Sequence, residues 1–194
     1  MPEAKTLTSE YSVAERKQLL RLAHHAIAAE LQGAALDKDS PSPHLSQPRG
    51  AFTSLHIHGR LRGCIGYVMP IHPLYRAVAE TAAAAAFRDL RFEPVSDSDL
   101  PLLHVEISIL SPMFPISPEQ VEVGRHGLMV SRGGARGLLL PQVPLQWGWD
   151  RERFLAETCR KAGLPADAWR HGAKIEAFTA EVFAENEPGD SLRD

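Results

Sequence analysis

The chain of 194 residues is 44% hydrophobic and 23% charged, a composition typical of a soluble globular protein. Its net charge of −3, without a long run of lysine and arginine, argues against direct nucleic-acid binding. Two cysteines far apart in the sequence do not make a disulfide framework. No apolar run reaches the length of a membrane span, and the N-terminus lacks the apolar segment of a signal peptide. We therefore expect a cytoplasmic protein without membrane contact.

The first predicted element is a helix that begins after an N-terminal extension, residues 1–12. Ser12 and Glu15 form a Ser-x-x-Glu capping box, and Gly33 stands where a helix C-terminus favours a left-handed residue. Between these ends, apolar residues recur at helical spacing at Leu20, Ala23, Ile27 and Leu31. The following segment, 37–48, contains three prolines and several small polar residues, which predicts a loop.

A β-hairpin is predicted next, around a two-residue turn at His58-Gly59. With that turn, regular strand pairing sets Thr53 opposite Cys64. Because side chains alternate along a strand, Arg62 and Cys64 then share one face of the hairpin, and His56 projects from the other. This geometry argues against a joint metal site of Cys64 with His56, and no other cysteine-histidine cluster has zinc-site spacing, so we predict no metal site.

The rest of the chain contains strands and helices in irregular order. The predicted elements are a helix over 73–87, a strand over 103–109, a short strand over 121–123, a hairpin over 127–140, a helix over 151–162 and a strand over 174–183. Trp147 and Trp149 are expected to anchor the core, and residues 186–194 form a polar tail that we expect to be flexible. Two hairpins, further strands and three helices without a regular strand-helix repeat indicate an α+β fold with a mixed or antiparallel sheet.

The most informative segment is Arg62-Gly63-Cys64-Ile65-Gly66, which places a cysteine between two glycines and close to an arginine. Glycines allow a ligand or another backbone to come close, because no Cβ blocks the approach. A nearby guanidinium favours the thiolate, which is the form that attacks carbon or binds metal. A purely architectural role is the alternative, because free cysteine is often buried and glycine in a strand often marks a bulge or tight packing. The other cysteine, Cys159, lies in a predicted helix and is expected to pack in a core.

A cysteine nucleophile also needs a base. The histidines that could supply it, by residue type alone, are His72, His104, His126 and His171. Asp89 and Arg91 follow directly on the helix over 73–87, where they form either the rim of an anion site or a charged turn that complements the helix dipole. Phosphate binding through Arg62, Arg91 and glycine amides is compatible with the sequence, although no glycine-rich phosphate motif occurs.

Segments in order along most of the chain match the pattern of one known family. They are 50–55, 61–66, 73–74, 82–87, 89–92, 105–110, 123–128, 137–143, 148–150 and 159–164. These segments resemble the AMMECR domain, which in bacteria and archaea is protein A of the AmmeMemoRadiSam system. The resemblance covers residues 13–185, and Arg62-Gly63-Cys64-Ile65-Gly66 is its most specific part. The family often has an acidic residue shortly before Gly148-Trp149-Asp150, whereas this chain has Pro144-Leu145-Gln146-Trp147 there.

The resemblance implies an α+β fold over 13–185 with a larger and a smaller interleaved subdomain, and a cleft between them beside the cysteine motif. The name of the system implies two partners, a Memo-like protein, related to metal-dependent dioxygenases, and a radical S-adenosylmethionine protein. The chain has no three-cysteine cluster for an iron–sulfur centre, and we expect it to use no cofactor of its own. We therefore expect a component that binds an unknown small-molecule or peptide substrate, or presents it to these partners.

The expected site surrounds Cys64, which would contact or transiently capture the substrate. The catalytic candidates beside Cys64 are Asp89 and His126, for orientation or proton transfer. The ligand-binding candidates are Arg62 and Arg91 for an anionic group, Gly63 and Gly66 for close approach, and Glu106 as a lining residue. Two alternatives stay open, a cysteine hydrolase or transferase that acts alone, and a regulatory or nucleic-acid-associated module. The sequence leaves open whether the chain is an enzyme.

Overall fold

The computed structural model describes residues 9–35 and 41–185. The helices and strands are, in chain order, α1 (Val13–Leu31), β1 (Ala51–Ile57), β2 (Arg60–Tyr67), α2 (Leu74–Phe87), β3 (His104–Leu110), β4 (Phe114–Pro115), β5 (Gly127–Arg132), β6 (Ala135–Leu139), α3 (Gln142–Trp147), α4 (Arg151–Lys161), β7 (Lys174–Phe178) and β8 (Ala180–Ala184). The predicted α+β class is confirmed. The tail predicted to be flexible, 186–194, and residues 1–8 of the predicted N-terminal extension lie outside the described residues.

The described chain divides into two compact units, each with its own four-stranded sheet. The first unit runs up to Ile109 and resumes at Glu181, and the second comprises Leu110–Ala180. The strand order is β2-β1-β3-β8 in the first sheet and β4-β7-β5-β6 in the second. This division agrees with the larger and smaller subdomains expected above, whereas a cleft between them stays a prediction. Across the two described ranges, no helix has the length and apolar character needed to span a membrane.

Helix α1 begins at the predicted capping box. The Ser12 hydroxyl accepts from the Glu15 N–H at 3.3 Å, and the Glu15 carboxylate accepts from the Ser12 N–H at 3.0 Å. These two bonds satisfy backbone donors that a helix N-terminus otherwise leaves unpaired. Gly33 lies just beyond the helix at a φ of 65°, as its predicted role requires. The buried residues of the helix are Leu19, Leu20, Ala23, Ala26 and Ile27.

Helix α2 covers one face of the first sheet, which we call the inner face. The sheet residues whose side chains are buried on this face are Ala51, Thr53, Leu55, Val105, Ile107 and Ile109. Alanines of α2 are themselves buried, so that helix and sheet lie close together. The hydroxyls of Thr53 and Thr81 form a buried hydrogen bond of 2.8 Å across this contact. The opposite side of the sheet is called the outer face below.

The β1–β2 hairpin turns at His58-Gly59, as predicted, and both turn residues have positive φ. The register beyond the turn differs from the predicted one. A bulge leaves Arg62 without a partner residue, so that Cys64 pairs with Ser54 and not with Thr53. Every residue of β2 beyond the bulge is thereby shifted to the other face of the sheet.

The packing of α2 explains this bulge. A Cβ on Gly63 would overlap the backbone carbonyl of Ala85, so only glycine fits at this point of the inner face. The predicted register would have placed the side chains of Cys64 and Arg62 beneath the helix. Because of the bulge, Cys64 lies on the outer face, which also carries His56. The prediction that Cys64 and His56 lie on opposite faces is therefore wrong.

In the second unit, α4 packs against the sheet and closes a separate core. Asp150 caps α4 as predicted, with its Oδ1 accepting from the Arg153 N–H at 2.8 Å. Cys159 is fully buried, as predicted, and this burial raises the pKa of its thiol. The core residues are Val121, Leu128, Val130, Phe154, Leu155, Cys159, Ala168, Ile175 and Ala177.

Helix α3 and strand β4 were not predicted from the sequence, and three further features of the second half differ from the prediction. Segment 121–123 forms no strand, because it follows a 3-10 turn at Pro118–Gln120. The strand predicted over 174–183 is interrupted at Thr179, and its two parts, β7 and β8, belong to different sheets. Trp149 packs against the second core as expected, but Trp147 ends α3 and is 70% exposed. Gly148, at a φ of 62°, turns the chain between the two tryptophans.

Candidate functional site

The cysteine motif lies on β2, at the edge of the first sheet. Packing accounts for both of its glycines. Gly63 lies beneath Ala85, and a Cβ on Gly66 would overlap the ring of Phe52. Cys64, between them, is half-buried, and its side chain is on the outer face. The motif therefore fixes the path of β2 tightly while it presents the thiol on the face that α2 does not cover.

Cys64 begins a row of polar side chains across three strands of the outer face. Ser54 lies opposite Cys64 on β1, and Glu106 lies opposite Ser54 on β3. The Ser54 hydroxyl donates to Cys64 Sγ at 3.2 Å. All three residues are half-buried. This polar row, Cys64–Ser54–Glu106, brings together a thiol, a hydroxyl and a carboxylate.

The neighbours of the polar row are also paired across strands. Two pairs flank the row: His56 with His104, and Phe52 with Ser108. His104 donates from Nε2 to the carbonyl oxygen of Glu185 at 2.8 Å. The Glu106 side chain makes no hydrogen bond and no ion pair with any residue of the two described ranges. The row thus contains a carboxylate that the described chain leaves without a partner.

Asp89 and Arg91 hold the backbone of Cys64 from beyond the sheet edge, and we call them the Asp89–Arg91 clamp. The Asp89 carboxylate accepts from the Cys64 N–H at 2.9 Å, and the Arg91 guanidinium donates to the Cys64 carbonyl at 3.1 Å. Arg91 also donates twice to the Asp89 carboxylate, at 2.7 and 2.9 Å. An edge strand otherwise leaves such backbone groups unpaired. The clamp therefore completes the hydrogen bonding of Cys64.

The clamp is a closed ion pair. The hydrogen bonds from Arg91, aided by the Cys64 N–H, hold the pKa of the buried Asp89 carboxyl far below its usual range, although burial acts in the other direction. The bond to Asp89 in turn raises the pKa of the Arg91 guanidinium. A carboxyl with such a low pKa stays ionised near neutral pH. Of the two roles predicted for Asp89, orientation therefore fits its surroundings better than proton transfer.

Arg62 fastens a second segment to β2. Its guanidinium donates to the carbonyl of Glu93, to the carbonyl of Pro94 at 3.1 Å, and to the Asp99 carboxylate at 3.3 Å. The pKa of Asp99 is lowered, chiefly because its carboxylate accepts a hydrogen bond from the Ser96 N–H. The nearby charge of Arg62 lowers it further. Arg62 and the clamp together cover the outer edge of β2 with the chain that follows α2.

The predicted site residues are distributed over both units. Cys64, Asp89, Arg91, Glu106 and the two glycines lie in the first unit, around β2 and the outer face. His126 is buried in the second unit, where its Nδ1 accepts from the Glu122 N–H at 3.1 Å and its ring meets Phe114 edge-on. Burial lowers the pKa of His126, which favours the neutral ring.

The other histidines considered as bases differ in their positions. His72 lies 3.8 Å from a Glu80 carboxylate oxygen, and His171 pairs with Asp167 at 3.4 Å. Of the histidines predicted as bases, His104 is the one that the strand pairing places on the outer face with Cys64.

Sequence reasoning missed Ser54, and it placed His56 on the face opposite Cys64. Both alternate with the buried Thr53 and Leu55 along β1, so their shared face was predictable. Their position beside Cys64 depends on the bulge. Gly63, a glycine inside a strand, was the signal that could have indicated it.

No group of three or more histidine, cysteine, aspartate or glutamate side chains suited to a metal ion occurs within residues 9–35 and 41–185. The polar row alone offers one thiol and one carboxylate, with His56 and His104 beside them.

Comparison with known proteins identifies the family. The AMMECR1 family model matches residues 20–183, and the matched region contains the cysteine motif, the clamp and the polar row. The chain belongs to the AMMECR1 family. The AMMECR domain resemblance seen in the sequence is thereby confirmed.

Relatives of this AMMECR1-family chain agree with it in length, and a solved structure among them agrees in fold. The crystal structure of the uncharacterised protein PH0010 from Pyrococcus horikoshii has a TM-score of 0.78 to this chain at 42% sequence identity, and the match covers 95% of this chain and 98% of that one. A protein from Thermococcus gammatolerans is 44% identical over 190 residues, 90% of this chain and 92% of the relative. One from Methanothermobacter thermautotrophicus is 43% identical over 183 residues, 89% and 95% of the two chains. The names of these three relatives state no activity, and a shared fold does not specify a reaction.

Proposed function

We propose that this AMMECR1-family protein binds a small-molecule or peptide substrate on the outer face of its first sheet. It then presents the substrate to two partners, a Memo-like protein and a radical S-adenosylmethionine protein. The polar row carries the proposal, because it sets a thiol, a hydroxyl and a carboxylate side by side on the sheet face opposite α2. Polar side chains that serve structure alone usually bond to one another, and Glu106 does not.

The rigidity of β2 supports a binding role. A binding site needs side chains held in fixed positions by the groups behind them. The clamp fixes the backbone on both sides of the Cys64 Cα, and Gly63 is confined beneath α2. The thiol is therefore held at a defined point of the outer face.

An exposed leucine beside the clamp supports a partner-binding role. Leu90 lies between the two clamp residues and is fully exposed. Protein interfaces combine apolar contact residues with a polar rim, so a fully exposed leucine next to a polar site is a candidate contact. The nature of the partners rests on the family resemblance.

The substrate site is tested by alkylating the native protein with iodoacetamide and mapping the labelled peptides. We expect labelling at Cys64 and none at Cys159, because Cys159 is fully buried. Small-molecule or peptide fractions of a cell extract that contain the substrate should slow the labelling of Cys64. Labelling of Cys64 only after unfolding would exclude a substrate site at this thiol.

The presenting role is tested by co-purification with the Memo-like and radical S-adenosylmethionine proteins of the same genome. We expect a complex that Leu90→Ser weakens at least several-fold in affinity. Leu102→Ser is the matched control, since Leu102 is 45% exposed in the same unit but lies outside the clamp. A chain that associates with neither protein, with or without substrate, would contradict the presenting role.

A second candidate is a cysteine-dependent hydrolase or transferase that acts alone. The bulge favours this second candidate, because the bulge sets Cys64 on the same face as His56 and Glu106. Either residue could accept the proton of the thiol. An activated ester such as p-nitrophenyl acetate tests it. Attack by Cys64 would form a thioester and release one equivalent of nitrophenolate in a burst, before slower hydrolysis.

Peptide mapping would then locate the acetyl group on Cys64. For this candidate we expect turnover without partners and a loss of the burst in His56→Gln or Glu106→Gln. An acetyl group that forms at the same rate in both variants would contradict a role for these bases.

A further inference from the structure

Glu106 is the charged member of the polar row. The residue is half-buried, and its carboxylate has no hydrogen-bonding or ion-pairing partner in the described chain. Folded proteins usually pair the carboxylates that they cover in part, because each loss of hydration costs free energy unless a partner replaces the water. At the proposed substrate site, this unpaired carboxylate is therefore free to bond to a group that the ligand supplies.

The arginines near Cys64 do not supply a partner for the Glu106 carboxylate. Arg91 is bonded to Asp89 and to the Cys64 carbonyl, and Arg62 is bonded to Asp99 and to two backbone carbonyls. Each guanidinium is therefore balanced by a carboxylate of its own. Among the described residues, the fixed charge of the polar row that has no partner is the negative charge of Glu106, which lies one strand beyond Ser54.

We infer that the substrate carries a cationic group, a primary ammonium or a guanidinium, which binds Glu106 next to the Cys64 thiol. This inference rests on the proposed substrate site and adds the chemical class of its ligand. N–H donors of a cation would form charge-assisted bonds to the carboxylate. Ser54 lies opposite Glu106, and Ser108 follows Glu106 by two residues on β3. The hydroxyls of both serines can accept hydrogen bonds from the remaining N–H groups of the cation. The ring of Phe52, opposite Ser108, offers an apolar surface to the carbon chain that carries the cation.

The inference opposes the anion-binding role predicted from the sequence for Arg62 and Arg91. An anionic substrate would meet Glu106 at the point where it reaches the thiol. The sign of the electrostatic field at Cys64 therefore distinguishes the two possibilities.

That sign is measured with three methanethiosulfonate reagents: a cationic one with a trimethylammonium group, a neutral methyl one, and an anionic one with a sulfonate. Each transfers its thioalkyl group to the cysteine sulfur, which forms a mixed disulfide and releases methanesulfinate. The rate at Cys64 is divided by the rate with 2-mercaptoethanol, so that the intrinsic reactivity of each reagent cancels. Peptide mapping assigns the label to Cys64.

We expect the cationic reagent to react roughly tenfold faster than the anionic one at low ionic strength, with a smaller ratio in high salt. Glu106→Gln should reduce this ratio roughly fivefold or more, because it removes the charge and keeps the shape. Glu30→Gln is the matched control. It changes the net charge by the same amount on α1, where Glu30 pairs with Arg88, and should leave the ratio within about twofold.

The outcomes separate the inference from the proposed function. If the neutral reagent labels Cys64 but the anionic reagent matches or exceeds the cationic one, the substrate site stands and the cationic class is overturned. If none of the three labels Cys64 in the folded protein, the proposed site itself is overturned, and the inference with it. The ratio of the cationic to the anionic labelling rate in the unaltered protein decides between these outcomes. A variant that fails to fold therefore does not affect the result.

Discussion

The carboxylate of the buried Asp89 accepts four hydrogen bonds. It accepts from the Cys64 N–H, from the Arg91 N–H and twice from the Arg91 guanidinium. Asp89→Asn keeps the size of the side chain but removes its charge and one acceptor. Because hydrogen bonds to charged groups are stronger than neutral ones, and Arg91 is largely exposed, we expect the free energy of unfolding to fall by about 1–2 kcal/mol.

Urea denaturation measures this loss. Glu30→Gln breaks the exposed ion pair with Arg88, and we expect it to change stability by less than about 0.5 kcal/mol. Equal effects of the two variants would mean that the clamp contributes no more than an ordinary surface ion pair.

The low pKa of Asp89 also predicts the pH dependence of stability. Because the pKa of the folded state lies below the ordinary value of ~3.9, the unfolded chain binds the proton more readily in acid. The contribution of Asp89 is therefore fully present above about pH 5 and is lost as the pH falls below ~3.9. The stability difference between the unaltered protein and Asp89→Asn should shrink between pH 6 and pH 3. A difference that stays constant over this interval would show that the charge of Asp89 does not stabilise the fold.

At the scale of elements, the contact between α2 and β2 depends on one glycine. A Cβ on Gly63 would overlap the Ala85 backbone, which cannot move aside as a side chain end could. We expect Gly63→Ala to lower the free energy of unfolding by about 3 kcal/mol. Gly134→Ala is the control, since its added Cβ meets nothing within 4 Å and its backbone is not left-handed. Losses below about 0.5 kcal/mol in both variants would mean that α2 is not held as closely to β2 as the structure has it.

The sequence predicted the elements that depend on local signals. The ends of α1 follow from Ser12, Glu15 and Gly33, and the hairpin turn follows from His58-Gly59, because the residues that decide these features are neighbours in the chain.

The bulge was not predictable in this way. It depends on Ala85 of α2, more than twenty residues after Gly63 in the chain. The polar row depends on the bulge and on the pairing of β1 with β3, so Glu106 could be proposed as a lining residue while its position opposite Ser54 could not be derived. Hence the motif was predictable from the sequence, and the set of side chains that surrounds the thiol was not.

At the scale of the molecule, the two units have separate cores. The first core comes from residues up to Ile109 together with Phe183, and the second lies within Val121 to Ala177. Two hydrogen bonds join the beginning of the second unit to its end. The Ser111 N–H donates to the Thr179 carbonyl at 2.9 Å, and the Thr179 N–H donates to the Ser111 hydroxyl at 2.9 Å. The second unit is thus a closed insertion between β3 and β8.

This organisation predicts that the second unit opens without the first. Phe154→Ala removes a fully buried ring from the second core and should destabilise that unit by about 3–5 kcal/mol. Native-state hydrogen exchange should then speed up for the amides of β5, β6 and β7, while those of β1 and β2 keep their protection, because local openings follow cooperative units. Leu20→Ala, in the first core, is the reciprocal variant and should expose β1 and β2 in turn. If either variant accelerates exchange equally in both sheets, the two cores unfold as one, and the polar row depends for its stability on the whole chain.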